Sequence, residues 1–186
     1  MRTVIHFSAF ECNEENNFIV KELAIVNPDA NSFQTWLFKP PFPMSKITIP
    51  SLRFANEYLS QHVFGLEWIE GEVQYEEVKN ILTKYTSCSE SVYAHGKARQ
   101  IFLESLLQRT VINLEDIKCP KYNSLAFPSQ SCAHHLHQFT TFRCALKEAS
   151  VYAKYLTYYH LHSFILPKNR TVYEPTPISE SNCDVE

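Results

Sequence analysis

Residues 18–26, Phe-Ile-Val-Lys-Glu-Leu-Ala-Ile-Val, establish the architecture of this chain. The run is rich in β-branched and apolar residues, which predicts a β-strand. Residues 3–10 form a similar run, and the polar segment between the two predicts a β-hairpin. Residues 33–38 predict a third strand, and the prolines at 40 and 41 end it because proline donates no hydrogen bond to a sheet. The chain is therefore expected to begin with a three-stranded antiparallel meander.

Helices and short strands alternate in the rest of the predicted fold. We expect helices over residues 50–63, 76–85, 97–107 and 143–159, and strands over residues 91–95 and 110–114. Ser51 is the expected cap of the first helix, and Gly65 ends that run. A strand–helix–strand unit favours parallel pairing. The predicted fold class is α/β, with a mixed sheet of three antiparallel strands plus parallel strands, flanked by helices.

Length and composition predict one domain followed by a tail. The 186 residues are 45% hydrophobic, enough for a substantial core, which we place in residues 1–166. Proline, serine and acidic residues predict a disordered tail over residues 167–186. The formal charge of −3 lacks the basic excess of an autonomous nucleic-acid binder, so such binding requires a local patch. The N-terminal residues lack secretory-signal features and no run predicts a membrane span, so the six cysteines are expected in the reducing cytoplasm or nucleus.

A metal site is predicted from Cys132-Ala133-His134-His135 and from Cys144, which heads the last helical run. A Cys-x-x-His turn supplies two ligands, and the start of a helix supplies a third. Glu22 is the best candidate for the fourth, since it is a carboxylate within an otherwise apolar strand. Four protein ligands leave no position for water, so we expect one structural zinc ion per chain. His135 is the preferred imidazole, with His134 as its rival.

The order of elements resembles the RNase H-like fold of DnaQ-type 3′–5′ exonucleases, whose acidic residues hold two metal ions. Three segments are similar to that family's motifs: Val4–Phe10, Val92–Gln100 and Arg143–Ala149. This chain has His6 and Ser8 at the positions of the two first-motif acids, and Gln100 near the position of the second-motif acid. It has Glu148 at the position of the third-motif acid and Arg143 at the position of the general-base histidine. One carboxylate does not hold two divalent ions, so the catalytic set is lost. We expect His6 and Ser8 to be ordinary alternating residues of a strand with one face in and one face out, and Glu148 to be a solvated helix residue.

A closer resemblance is to the Maelstrom domain, a DnaQ-like domain in which Glu, Cys, His and Cys zinc ligands replace the acidic set. The segments that carry it are Lys21–Val26, Cys132–His135 and Phe142–Leu146. A related degenerate exonuclease family is the alternative. The Maelstrom resemblance implies a role in small-RNA-guided transposon silencing, with single-stranded RNA and silencing-pathway proteins as partners. It also implies weak RNA cleavage in some members.

The favoured function is a non-catalytic, zinc-stabilised interaction module for RNA or protein. Its candidate RNA contacts are Tyr93, Lys97 and Arg99, with Arg109, Lys118, Lys121 and Tyr122 as further candidates. An alternative is a single-stranded RNA nuclease with an unconventional active site, for which His95 and Arg99 are the clustered candidates. A third is a protein-binding relic of a mobile element, which would show no salt-dependent RNA retention.

Overall fold

The computed structural model describes residues 1–12, 18–127, 132–135 and 142–163. Its strands are β1 Arg2–Glu11, β2 Phe18–Asn27, β3 Ser32–Leu37, β4 Ser91–Ala94 and β5 Ile112–Asn113. Its α-helices are α1 Pro50–Tyr58, α2 Glu77–Thr86, α3 Lys97–Leu107 and α4 Ala145–Ser163. The tail predicted over residues 167–186 lies outside the described residues. Within the described residues no helix has the length and apolarity needed to cross a bilayer.

The five strands form one mixed sheet in the order β3-β2-β1-β4-β5. Antiparallel pairing joins β1 to β2 and β2 to β3. Parallel pairing joins β1 to β4 and β4 to β5, with α3 as the crossover between the last two strands. The predicted α/β class, with three antiparallel strands extended by parallel ones and flanked by helices, is confirmed.

Helices cover both faces of the sheet. Val4 and Ala24 pack toward α4, whereas Ile5 and Leu23 pack toward α2 and α3. Successive strand residues point to opposite faces, so a strand covered on both sides is apolar throughout. The expectation that β1 has one buried and one open face is therefore wrong, and the structure buries even its polar residues His6 and Ser8. The central strands are the rigid platform on which the sites described below are built.

A β-bulge interrupts the pairing of β1 with β2 at Lys21. Ser8 pairs with Glu22 and the next residue, Ala9, pairs with Val20, so Lys21 has no partner on β1. The Lys21 ammonium is buried and donates hydrogen bonds to the backbone carbonyls of Trp68, at 2.9 Å, and Glu70. Burial lowers the pKa of Lys21 to about 8. The bulge thus turns a charged residue away from the sheet and fastens β2 to the 68–70 segment.

Two elements differ from their predicted bounds. Helix α1 begins at Pro50 with no side-chain cap, so Ser51 is not the cap, and after Tyr58 the backbone changes to a π-helical stretch, Leu59–Phe64. Gly65 ends that stretch with φ of 63°, as its position predicts. Strand β5 is shorter than predicted because the Asn113 side chain accepts a hydrogen bond from the Glu115 N–H and starts a 3-10 turn.

Candidate metal centre

Four predicted ligands lie together in the interior: Glu22, Cys132, His135 and Cys144. Their ligand atoms all lie within 4.8 Å of one another, and every one of the four residues is buried. The Cys132 sulfur lies 2.8 Å from Glu22 Oε1 and 3.0 Å from His135 Nδ1. Glu22 Oε1 lies 3.7 Å from the Cys144 sulfur and 3.6 Å from His135 Nδ1. Glu22 thus joins three residues that are more than a hundred positions away in one compact group that could hold a metal ion.

Each ligand is positioned by a different part of the fold. Glu22 is on β2 directly after the bulge, on the face covered by α4. Cys132 and His135 are brought together by one 3-10 turn, in which the His135 N–H donates to the Cys132 carbonyl at 3.2 Å. Cys144 is the residue before the first turn of α4. An ion bound here would join the sheet, the 132–135 turn and the last helix.

Outer hydrogen bonds fix the orientation of two ligands. The second imidazole nitrogen of His135, Nε2, lies 2.9 Å from the Phe64 carbonyl oxygen. A carbonyl only accepts, so Nε2 carries the proton and Nδ1 faces the group of ligands. The second carboxylate oxygen of Glu22, Oε2, accepts the Ala145 N–H at 2.7 Å, at the N-terminus of α4. Both ligands are therefore oriented before any ion arrives.

The electrostatics of the group favour anionic ligands despite the burial. Burial opposes the charged form of Glu22, but the neighbouring His135 ring, the Ala145 N–H and the Cys132 thiol outweigh it and lower the pKa of the carboxyl group. The neighbouring Cys132 thiol lowers the pKa of Cys144. The pKa of Cys132 is raised in turn by the same contact and by burial. The carboxyl group and one of the two thiols are thus shifted toward the anionic forms that a metal ion binds.

The donor set and spacing suit a tetrahedral ion. Bond lengths of about 2.0–2.3 Å around zinc place neighbouring ligand atoms roughly 3.3–3.8 Å apart. The contacts that Glu22 Oε1 makes with Cys144 and His135 fall in this range, and the two shorter contacts of Cys132 require its sulfur to move by about half an ångström. Of the two histidines, His135 is the one that is buried within the group, and His134 is not one of its four residues.

The positions that the exonuclease resemblance aligns with catalytic residues carry an ion-pair network. Glu148 is only 2% exposed, so its expected place in solvent is wrong. Its carboxylate lies 3.1 Å from His6 Nε2 and accepts two hydrogen bonds from Arg143, at 2.6 and 2.9 Å. Burial opposes the charge of Glu148, but His6 and Arg143 outweigh burial and hold the pKa of the carboxyl group well below its usual value. Gln100 donates to the Val111 carbonyl. Nothing in the sequence signalled this network, because it joins the first strand to the last helix.

The candidate RNA contacts have different surroundings. Tyr93 is 7% exposed and belongs to the core beneath α4, so its ring is not available for stacking on a base. Lys97 is exposed and bonds to Gln100. Arg99 is partly buried, with its guanidinium 5.5 Å from the centre of the Phe7 ring. Arg109 donates to the carbonyls of three residues, Thr86, Ser89 and Glu90, and therefore has a structural role.

The fold and the site together define an α/β protein with a buried four-residue group of metal-ligating side chains. No protein-family model matches the chain, and no curated protein matches it.

Proposed function

We propose that this chain is a zinc-stabilised RNase H-like domain of the Maelstrom type that binds single-stranded RNA without two-metal cleavage. The observation that carries the proposal is the convergence of Glu22, Cys132, His135 and Cys144 on one point. A sheet of three antiparallel strands extended by two parallel ones supports the RNase H-like assignment. The order of the ligands along the chain is the order that the Maelstrom resemblance implies.

Zinc is the ion that this donor set fits best. Thiolate sulfur excludes the hard cations magnesium and calcium, which take oxygen ligands. Two sulfurs, one imidazole and one carboxylate satisfy four-coordinate zinc, and a closed set of four protein ligands is typical of a structural ion. Zinc here would stabilise the packing of α4 on the sheet. Its ligands leave no position open for a reacting water.

The RNase H-like assignment does not bring exonuclease chemistry with it. Glu148 is the one carboxylate at the corresponding positions, and the cations Arg143 and, when protonated, His6 lie against it. Two divalent cations require several free carboxylates. The same region is instead rich in cations that RNA phosphates could contact, which favours RNA over protein as the partner. The silencing role and a cytoplasmic or nuclear location belong to this proposal.

The metal part is tested by elemental analysis and chelation. Purified protein should contain about one zinc per chain and should unfold at lower denaturant concentration after EDTA treatment. Cys144→Ser should lose the ion, whereas Cys88→Ser, at an exposed cysteine, should keep it. Protein that is free of zinc and indifferent to EDTA would contradict the metal centre.

The RNA part is tested by filter binding of labelled single-stranded RNA across a salt series. Retention should fall as salt rises, with a slope set by the number of phosphate contacts. Retention that is absent at low salt would remove RNA and leave a protein-binding module as the surviving function.

A nuclease is the second candidate, because His95 and Arg99 both line one cavity, which lies beside the metal centre. In such an enzyme His95 would act as the general base and Arg99 would stabilise the developing negative charge. Labelled RNA incubated with the zinc-loaded protein in buffer without magnesium or manganese should then be cleaved, and His95→Gln should abolish cleavage. Cleavage that persists in both His95→Gln and Arg99→Gln would exclude this site.

A further inference from the structure

A cavity of about 470 Å³ lies beside the metal centre, between β1, the start of α3, the 121–123 turn and the start of α4. Its volume is in the range of small-molecule sites, about 300–1,000 Å³. The groups that argue for its ligand are His6, His95, Arg99, Lys121, Arg143 and Lys147. None of these is a metal ligand.

The charge of the cavity wall is positive. Apart from Cys144, which belongs to the metal centre, its side chains with a formal charge are Arg99, Lys121, Arg143, Lys147, Glu115 and Glu148. Four cations therefore face two carboxylates, an excess of two positive charges among these groups. Glu148 is already bound to Arg143 through two hydrogen bonds. The remaining three cations share a single exposed carboxylate, Glu115.

Arg99 is the cation that most needs an anion. Its guanidinium is partly buried against the Phe7 ring, and its hydrogen bond to the Phe7 carbonyl is long at 3.4 Å. Among the described residues no carboxylate lies within 4.0 Å of it. Burial lowers the pKa of Arg99, which is the sign of a charge removed from water without full compensation. A bound anion would supply that compensation.

Two buried ring nitrogens in the wall have no hydrogen-bond partner among the described residues: His6 Nδ1 and His95 Nε2. The two residues line the cavity and are only 2% and 7% exposed. Burial and the charge of Arg99 lower the pKa of His6 to about 4, so the ring is neutral near pH 7. Its single proton lies on Nε2, which faces the Glu148 carboxylate at 3.1 Å. His6 Nδ1 is therefore an acceptor that lacks a donor.

We propose that this cavity binds a nucleoside monophosphate group, with its phosphate on Arg99, Lys121 and Lys147 and a sugar hydroxyl donating to His6 Nδ1. Guanidinium and ammonium groups that line a cavity bind phosphate oxygens through charge-assisted hydrogen bonds. The unpartnered acceptor favours a ligand with a donor beside its anion, and a phosphorylated sugar carries a phosphate and hydroxyl donors on one molecule. The group can come from a free nucleotide or from the phosphorylated end of an RNA strand. The second source rests on the RNA-binding function proposed above.

Calorimetric titration with adenosine 5′-monophosphate, inorganic phosphate and adenosine tests the ligand class. The nucleotide should bind more tightly than either fragment. Arg99→Gln and Lys147→Gln should each weaken nucleotide binding by about tenfold, the effect of removing one charged hydrogen bond. Lys79→Gln, at an exposed lysine on α2, is the matched control and should bind as the wild type does. Lys121→Gln, on the exposed 121–123 turn, tests the same wall without disturbing the core.

The source is tested with two short single-stranded RNAs that differ only in a 5′-phosphate. Tighter binding of the phosphorylated strand, lost in Lys147→Gln and Lys121→Gln, supports an RNA end as the ligand. Nucleotide binding without any RNA binding supports the cavity with a free nucleotide and contradicts the RNA function. Equal binding of both strands, unaffected by the variants and with no nucleotide binding, overturns the cavity proposal and leaves the RNA function intact.

Discussion

Glu22→Gln keeps the shape of the buried ligand and removes its charge. In the native side chain one oxygen faces the Cys132 sulfur at 2.8 Å and the other accepts the Ala145 N–H at 2.7 Å. A glutamine has one acceptor oxygen, so its amide N–H₂ must point at the metal or at another N–H. An unsatisfied buried group costs about 1–3 kcal/mol. Zinc binding to such a centre contributes roughly 10–16 kcal/mol, so the loss of one of four ligands costs about 3 kcal/mol more. The sum, about 5 kcal/mol, is close to the whole stability of a small domain.

Denaturant unfolding followed by circular dichroism, with and without EDTA, measures this loss. Wild-type protein should unfold earlier in EDTA, and Glu22→Gln should unfold earliest and respond little to EDTA. Glu57→Gln, at an exposed glutamate on α1, makes the same chemical change outside the centre and should match the wild type. If Glu22→Gln and Glu57→Gln unfold at the same denaturant concentration, the reasoning about the centre is refuted. If Glu22→Gln loses much stability while the wild type does not respond to EDTA, the four residues form a buried polar network without metal.

His135→Ala should reduce the zinc content of the purified protein well below one per chain, whereas His134→Ala should leave it unchanged, as elemental analysis will show. Glu148→Gln should cost about 2 kcal/mol at pH 7, because it removes the carboxylate that Arg143 and His6 contact. The folded-state pKa of Glu148 is lowered, so its contribution to stability is present above the unfolded-state pKa near 4.5 and is lost at lower pH. The difference between the unfolding midpoints of wild type and variant should therefore shrink as the pH falls below that value. A constant difference would contradict the ion pair. The pKa of His6 is also lowered, so wild-type stability should fall between pH 6.5 and about 4 as the unfolded chain takes up a proton that the folded one refuses. Lys21→Met should cost about 1–3 kcal/mol in urea unfolding, since it leaves buried carbonyls without their donor, and an unchanged midpoint would show that they find other partners.

The strands and helices could be predicted because their signal is local. Residues 18–26 and 97–107 follow the periods of a strand and a helix, and the structure has both elements within one residue of those bounds. The bulge at Lys21 and the π-helical stretch after Tyr58 have no comparable signal. Both depend on contacts with distant segments, such as the carbonyls that hold the Lys21 ammonium.

The candidate site also has features that the sequence predicts and features that it does not. Cys132 and His135 are visible in the sequence because one turn holds both, and Glu22 is visible because a carboxylate is unusual in an apolar strand. The ion pairs of Glu148 and the burial of Tyr93 were not predictable, since both follow from how α4 covers the sheet. A helix with Glu148 on a solvated side has the same local pattern as one with Glu148 inside.

The extra residue at Lys21 makes the length of β2 matter more than its composition. Because Ser8 opposes Glu22 while Ala9 opposes Val20, a deletion at Lys21 would keep both pairs and remove only the bulge, whereas a deletion at a paired position such as Leu23 would exchange the sides on which the rest of the strand packs. In that case Ile19, which belongs to the cluster around Phe10 and Trp68, would face the wrong layer. Substitutions among apolar residues should be tolerated along this strand, whereas a change of a single position in its spacing should not. Related chains would therefore be recognised by the interval that separates these residues more readily than by their letters.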